Sequence, residues 1–231
     1  MYHPNGISIN DSDTMIDHIG DHHISESLDT PMKADAFALS DEEKIKVIET
    51  HFAHIMDALG LDLTDDSLKG TPRRVGKMFV KEIFRGLNPE NKPKISLFAN
   101  KYQYNKMLVE KNITVQSTCE HHFLPIVGNA HVGYISSGKV IGLSKINRIV
   151  DYYARRPQVQ ERMTRQILDE LKGALGTDDV IVIVEAKHMC VSSRGIEDPD
   201  SSTVTIEYDG EFINQKTRNE FLEYVNNNLM K

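Results

Sequence analysis

Residues 180–191, VIVIVEAKHMCV, form a long β-branched run that reads as a strand, and 201–208 (SSTVTIEY) reads as its antiparallel neighbour. Working back from that pair, Val159, Met163, Ile167, Leu171 and Leu175 recur at four-residue steps, the apolar stripe of a helix opening at Pro157. A shorter helix precedes it, capped by Ser144 and running to about Arg156. Earlier still, 107–117 (MLVEKNITVQS), 130–136 (AHVGYIS) and 139–143 (KVIGL) read as strands, the last two joined as a hairpin through Ser137-Gly138. A helix around 217–229 closes the chain. No internal repeat is visible. This order predicts an α+β fold, an antiparallel sheet with two helices packed on one face.

A helical segment stands before the sheet. Ser40-Asp41-Glu42-Glu43 reads as a capping box, followed by Ile45, Ile48, Phe52, Ile55 and Leu59 at helical spacing up to Gly60. A second helix opens at Thr71-Pro72, cap then first-turn Pro, and stops at Gly86 and Pro89. The predicted division is a disordered acidic tail over 1–36, an N-terminal helical segment over 37–95 and a catalytic α+β domain over 96–231.

The 231 residues carry a net charge of −7, which taken alone argues against a polyanionic ligand. The charge is unevenly spread. Residues 1–43 hold one base against ten acids, a net −9, so the remaining 26 bases and 24 acids leave +2 for 44–231. No apolar run approaches a membrane span, and no basic start leads into a hydrophobic stretch. The expectation is a cytoplasmic protein whose two cysteines, Cys119 and Cys190, are unbridged.

Both cysteines neighbour histidines. Cys119-Glu120-His121-His122 follows a strand, and its two-residue gap lets Cys119 and His122 reach one ion. In His188-Met189-Cys190, strand alternation puts His188 and Cys190 on the same side. A lone Cys-x-x-His would read as a buried thiol beside surface imidazoles; two Cys/His clusters favour metal, and thiolate plus imidazole suits zinc. Cys119, His122 and Cys190 supply three ligands, leaving His121 and His188 for proton transfer at an open catalytic ion. A structural site would recruit one of these histidines as a fourth ligand, and spacing leaves both arrangements open.

The second constellation is cationic. Ser144, Lys145 and Arg148 open a helix, where free amides and cations favour phosphate. Arg74, Lys77 and Lys81 form a one-sided row on the Thr71 helix, and Arg194-Gly195 follows the Cys190 strand. Gly70 to Gly76-Lys77-Met78 is one residue too long for a Walker A loop and lacks its hydroxyl. There is no Gly-x-Gly-x-x-Gly.

Together the motifs resemble the GTP cyclohydrolase I family. Residues 117–123 (STCEHHF) are similar to its zinc loop, 142–150 (GLSKINRIV) and 156–162 (RPQVQER) to its two helix-start motifs, and His188-Met189-Cys190 with Arg194-Gly195 to its late strand and loop. The similarity runs from about residue 40 to the C-terminus. It implies a tunnelling-type fold and zinc on Cys119, His122 and Cys190. It makes His121 and His188 the acid/base pair and Glu161 the guanine carboxylate, assisted by Gln160. Arg74, Lys77, Ser144, Lys145, Arg148 and Arg194 would hold the triphosphate. The implied reaction opens the purine of GTP to give 7,8-dihydroneopterin triphosphate and formate, in a homodecamer of two pentamers with active sites between subunits. A non-catalytic regulatory protein on the same scaffold would not need His121, His188 and Glu161. A zinc deaminase would leave the cations without a role, and its His-x-Glu…Pro-Cys-x-x-Cys pattern is missing.

Overall fold

The computed structural model describes residues 27–227. α1 (Asp41–Ala58) begins on the expected capping box: the Ser40 hydroxyl accepts from the Glu43 amide, and the Glu43 carboxylate accepts from the Ser40 amide at 2.8 Å. α2 (Thr71–Met78) is capped by Gly70, not Thr71. Thr71 is already helical, and its hydroxyl accepts from Arg74. The helix continues as a π-helical turn, Phe79–Ile83, and ends in short 3₁₀ turns at Arg85–Leu87 and Pro89–Asn91. Gly86 docks this segment onto the later domain. Its amide donates to the Arg155 carbonyl at 2.9 Å, and a Cβ there would lie 2.1 Å from the Tyr152 carbonyl oxygen.

After β1 (Leu97–Ala99), β2 (Met107–Cys119) and β3 (Pro125–Ile135) form an antiparallel hairpin. One extra residue bulges β2 between Glu110 and Ile113, with Asn112 at φ 59°. β4 (Lys139–Ile141) pairs with β1, not with β3 as the sequence suggested. Both edges of β3 are taken, by β2 and by β6 (Val180–His188), so β4 has no edge of β3 to join. β5 (Pro157–Gln158) lies parallel to the end of β2, and β7 (Thr203–Tyr208) completes the main sheet beside β6 in the order β5-β2-β3-β6-β7. The sheet is therefore mixed rather than wholly antiparallel.

α3 (Leu143–Ala154) is capped by Gly142, which makes Ser144 its second residue instead of its cap. α4 (Gln160–Leu175) starts three residues beyond Pro157, because Pro157 and Gln158 are held extended against β2. After β6 the chain enters a short helical turn, α5 (Met189–Ser192), so the strand expected to reach Val191 stops at His188. α6 (Gln215–Asn226) stands close to the expected C-terminal helix.

α3 and α4 cover one face of the sheet. Val180, Val182 and Val184 point into that layer with Ile146, Ile149 and the α4 stripe of Met163, Ile167 and Leu171, all fully buried. At about 1.5–3 kcal/mol per large apolar chain removed from water, the stripe outweighs propensity differences of under about 1 kcal/mol per residue in fixing α4. Ile181 and Ile183 face the other way, onto Phe212 and Phe221, in a smaller second cluster.

Residues 1–26 of the expected tail lie outside the described residues. Residues 27–36, also expected to be disordered, run along the domain: Met32 lines an apolar cleft with Phe37, Leu39, Val47, Phe79 and Phe84. Its apolar residues are too sparse to show a period, yet they suffice to reach this cleft.

Candidate functional site

Sheet register brings three segments to one end of the sheet. The turn 120–123 joins β2 to β3 and is closed by the Cys119 amide on the Leu124 carbonyl and the Phe123 amide on the Cys119 carbonyl, at 2.8 and 2.9 Å. His188, at the end of β6, pairs with Ile126 near the start of β3. Cys119 pairs with Gln158 of β5, which delivers the start of α4 to the same place.

There the ligand atoms of Cys119, His122 and Cys190 lie within 4.8 Å of one another. The convergence comes from the helical turn after His188, not from alternation along a strand, since Cys190 is on α5. Burial pushes the Cys119 thiol up, but hydrogen bonds with His188, the His121 and His122 amides and the His122 ring outweigh it and bring it down to about 5. Cys190 goes the other way: burial and the adjoining Cys119 sulfur raise it, against the Arg194 guanidinium. Arg194 Nη1 donates to His122 Nε2 at 2.9 Å. A guanidinium only donates, so His122 Nε2 accepts there. Two sulfurs and an imidazole are a donor set for a thiolate-tolerant ion.

Two more histidines border this group. His121 Nδ1 lies 3.8 Å from Cys119 Sγ. His188 Nε2 lies 2.8 Å from Gln160 Oε1. Gln160 is buried, and its Nε2 faces the Val184 and Thr203 carbonyls and the Thr205 hydroxyl at 3.0–3.2 Å. The two carbonyls can only accept and so fix the amide's orientation; Oε1 must accept and His188 Nε2 carries a proton. Gln160 was expected to assist at a guanine. Its amide is instead turned inward onto His188.

The neighbours of Gln160 on α4 diverge. Glu161 is exposed, and its carboxylate has no hydrogen-bond partner among the described residues. Arg162 is buried and grips Glu120 of the 120–123 turn. Phe123, held at φ 55°, packs edge-on against Phe79 and Phe84, which ties the π-helical end of α2 to the same turn. Arg74 and Lys77 are exposed on that α2, whereas Lys81 is taken up by an ion pair with Asp41 at 2.9 Å.

Ser144, Lys145 and Arg148 are elsewhere. Asn147 Nδ2 donates to Glu110 Oε1 at 3.1 Å, while Arg155, beyond the other end of α3, reaches Gln116 at 2.8 Å. α3 therefore starts beside the first half of β2 and runs toward Cys119. At about 3.3 Å per residue, roughly 25–30 Å of strand separates Glu110 from Cys119. Within one chain the structure brings Arg194 to the metal group and leaves the α3-start cations at the far end of the sheet.

Sequence reading missed the positions of Gln160 and Arg162. Polar residues at a helix start read as solvent-facing, and no local pattern marks them as buried. The aromatic trio was equally hidden, because its members come from segments that meet only in the fold.

Residues 48–226 match the family model for GTP cyclohydrolase I. The chain is 62% identical over 217 residues to GTP cyclohydrolase 1 of Flavobacterium johnsoniae, covering 94% of this chain and 97% of that protein. It is 54% identical over 196 residues to GTP cyclohydrolase 1 of Vibrio parahaemolyticus, covering 84% and 89%. Among solved structures, an apo archaeosine synthase QueF-like protein overlaps 45% of this chain and 93% of its own at TM-score 0.38 and 20% identity. With the family model spanning most of the sequence and a near full-length relative at 62% identity, the chain belongs to the GTP cyclohydrolase I family.

Proposed function

We propose that this protein converts GTP and water to 7,8-dihydroneopterin triphosphate and formate, with zinc held by Cys119, His122 and Cys190. The observation that carries the reading is the meeting of these three donors beside two further histidines, in a chain of this family. Bound there, zinc would leave a fourth position for water and lower its pKa to roughly 7.

The chain's own groups divide the remaining work. His188, whose ring Gln160 holds in one orientation by accepting from Nε2, serves as one proton carrier of the reaction. His121, exposed beside Cys119, serves as the second proton carrier for a reaction that opens two rings and closes another. Glu161 has a free carboxylate at the second position of α4, where it can accept from the N1–H and 2-amino group of a guanine in a bidentate pair. Arg194, already against His122, and Arg74 and Lys77 of α2 take phosphate oxygens from the same chain.

Ser144, Lys145 and Arg148 are read as reaching a triphosphate from a second copy, because α3 starts beside Glu110, roughly 25–30 Å of strand away from Cys119. This split favours an assembly whose sites lie between subunits, and we extend it to the homodecamer of two pentamers. The same reading assigns the chemistry to residues 96–231, folded as a tunnelling-type unit, with 37–95 as a helical appendage. It also places the protein in the cytoplasm; among the described residues, no helix is long and apolar enough to cross a membrane.

Incubating the zinc-loaded protein with GTP should release formate and a product that becomes fluorescent as a pterin on oxidation. Absence of both at every zinc loading would refute the activity.

A further inference from the structure

Arg162 is the third residue of α4, and its side chain is only 4% exposed. A cation this deep needs its donors matched. Nη1 and Nη2 donate to the two carboxylate oxygens of Glu120 at 2.7 and 3.0 Å, and Nε donates to the Ser27 carbonyl at 2.8 Å. Glu120 stands directly between Cys119 and His121-His122, in the turn that carries two of the three metal donors.

The same residue is held from a second side. The Glu120 amide donates to the Gln158 carbonyl at 3.1 Å. The buried Gln158 side chain donates to the Tyr153 carbonyl and to Gln166 Oε1, both at 2.9 Å, and Gln166 Nε2 donates to Asp29 at 3.0 Å. Glu120 is thus gripped at its carboxylate and at its backbone, and residues 27–29 close the outer side of both arms. The turn's polar residues, Glu120, His121 and His122, are half-exposed or exposed, and its apolar packing comes from Phe123 against Phe79 and Phe84. A metal site tolerates displacements of only about 0.5 Å.

We propose that Arg162 is a positioning residue: its bidentate pair with Glu120 holds the Cys119–His122 turn in the arrangement that faces Cys190. The inference rests on the reading that these three residues bind metal. Lysine cannot reproduce the fork, since it offers a point charge in place of paired planar donors.

The test uses the full-length protein and zinc affinity measured by competition with a chromophoric chelator, alongside kcat and KM for GTP. Arg162→Lys and Glu120→Gln should each weaken zinc binding about 10- to 100-fold, the usual cost of losing a partner behind a metal ligand. At saturating zinc the remaining loss should fall on kcat, with KM for GTP little changed. The double variant should bind zinc no more weakly than the worse single one, because both changes delete the same pair. Arg165→Lys, on the exposed face of the same helix, should keep the parent's zinc affinity.

Folded variants whose zinc affinity stays within about twofold of the parent would overturn the proposal, as would single losses that multiply in the double variant. If Arg162→Lys fails to fold, Glu120→Gln, whose side chain is 21% exposed, decides by the same criterion. A parent protein that binds no zinc overturns the metal reading and this inference together. A zinc-binding parent with unaffected variants overturns this inference alone.

Discussion

The two ends of the main sheet treat polar groups in opposite ways. At the Cys119 end they are largely paired with one another: buried Gln160 on His188, buried Arg162 on Glu120, buried Gln158 on Gln166, and exposed Arg194 on exposed His122. At the Glu110 end, where α3 begins, Ser144 and Arg148 are exposed, and neither Lys145 nor Arg148 forms an ion pair among the described residues. One end is preorganised for chemistry on a small reacting centre. The other presents unmatched cations and free helix amides, which gain most from an external polyanion. Under the proposed function, the two ends would act as complementary halves of a site shared between copies.

The largest effect should come from the preorganised end. His188→Ala should cost about 10²- to 10⁴-fold in kcat while zinc stays near one per chain, the range for removing a general acid or base. Zinc loss in that variant would make His188 a ligand and blur the division of labour at this end. His121→Ala should behave alike, with zinc retained and turnover lost. Cys119→Ser and Cys190→Ser should instead lower zinc content, and normal stoichiometry in both would remove the metal from this end of the sheet.

The α3 end should show a smaller effect of a different kind. Lys145→Ala or Arg148→Ala should raise KM for GTP about 10- to 100-fold, since a charged hydrogen bond contributes roughly 1.5–3 kcal/mol. A fall in kcat at unchanged KM would contradict its role as a binding half. Smaller still is the contrast inside α2: Arg74→Ala should raise KM, and Lys81→Ala, whose ammonium already serves Asp41, should leave it unchanged.

A pH measurement sharpens the account of the two sulfurs. In chelator-stripped protein, thiolate absorbance should show one step with a midpoint near pH 5, from Cys119, and a second above the ordinary cysteine range, from Cys190. Cys119 is lowered, so its thiolate is complete at neutral pH and disappears as pH falls through about 5. Two equal steps near the ordinary thiol value would show that the histidines and amides around Cys119 do not stabilise its charge.

The two ends were also unequally legible in the sequence. Features carried by local periodicity or local chemistry came through: the Ser40–Glu43 box, the α4 stripe, the β6 run, and the Cys/His spacing of a group that could hold a metal ion. Features decided by competition for sheet edges did not. β4 lost its expected partner because β3 had no free edge, and Pro157 entered a strand because the end of β2 was open to it. Cys190 reached the metal group through a helical turn that a run ending His-Met-Cys-Val does not announce. Gln160 and Arg162 are polar residues whose burial depends on partners 28 and 42 positions away in sequence. The cationic motif at α3 was visible as chemistry, but its distance from the metal group appears only when Asn147 is found beside Glu110.

The complementarity of the two half-sites is tested most directly by mixing. His188→Ala and Lys145→Ala, each nearly inactive at low GTP, are unfolded together, refolded at equal ratio and assayed. If the metal end of one copy works with the α3 end of another, about a quarter of the sites in random oligomers combine two intact halves, and activity should recover to roughly that fraction of the parent's. Activity that remains at the average of the two separate variants would mean that each chain completes its own site, and the account of a split site would be wrong.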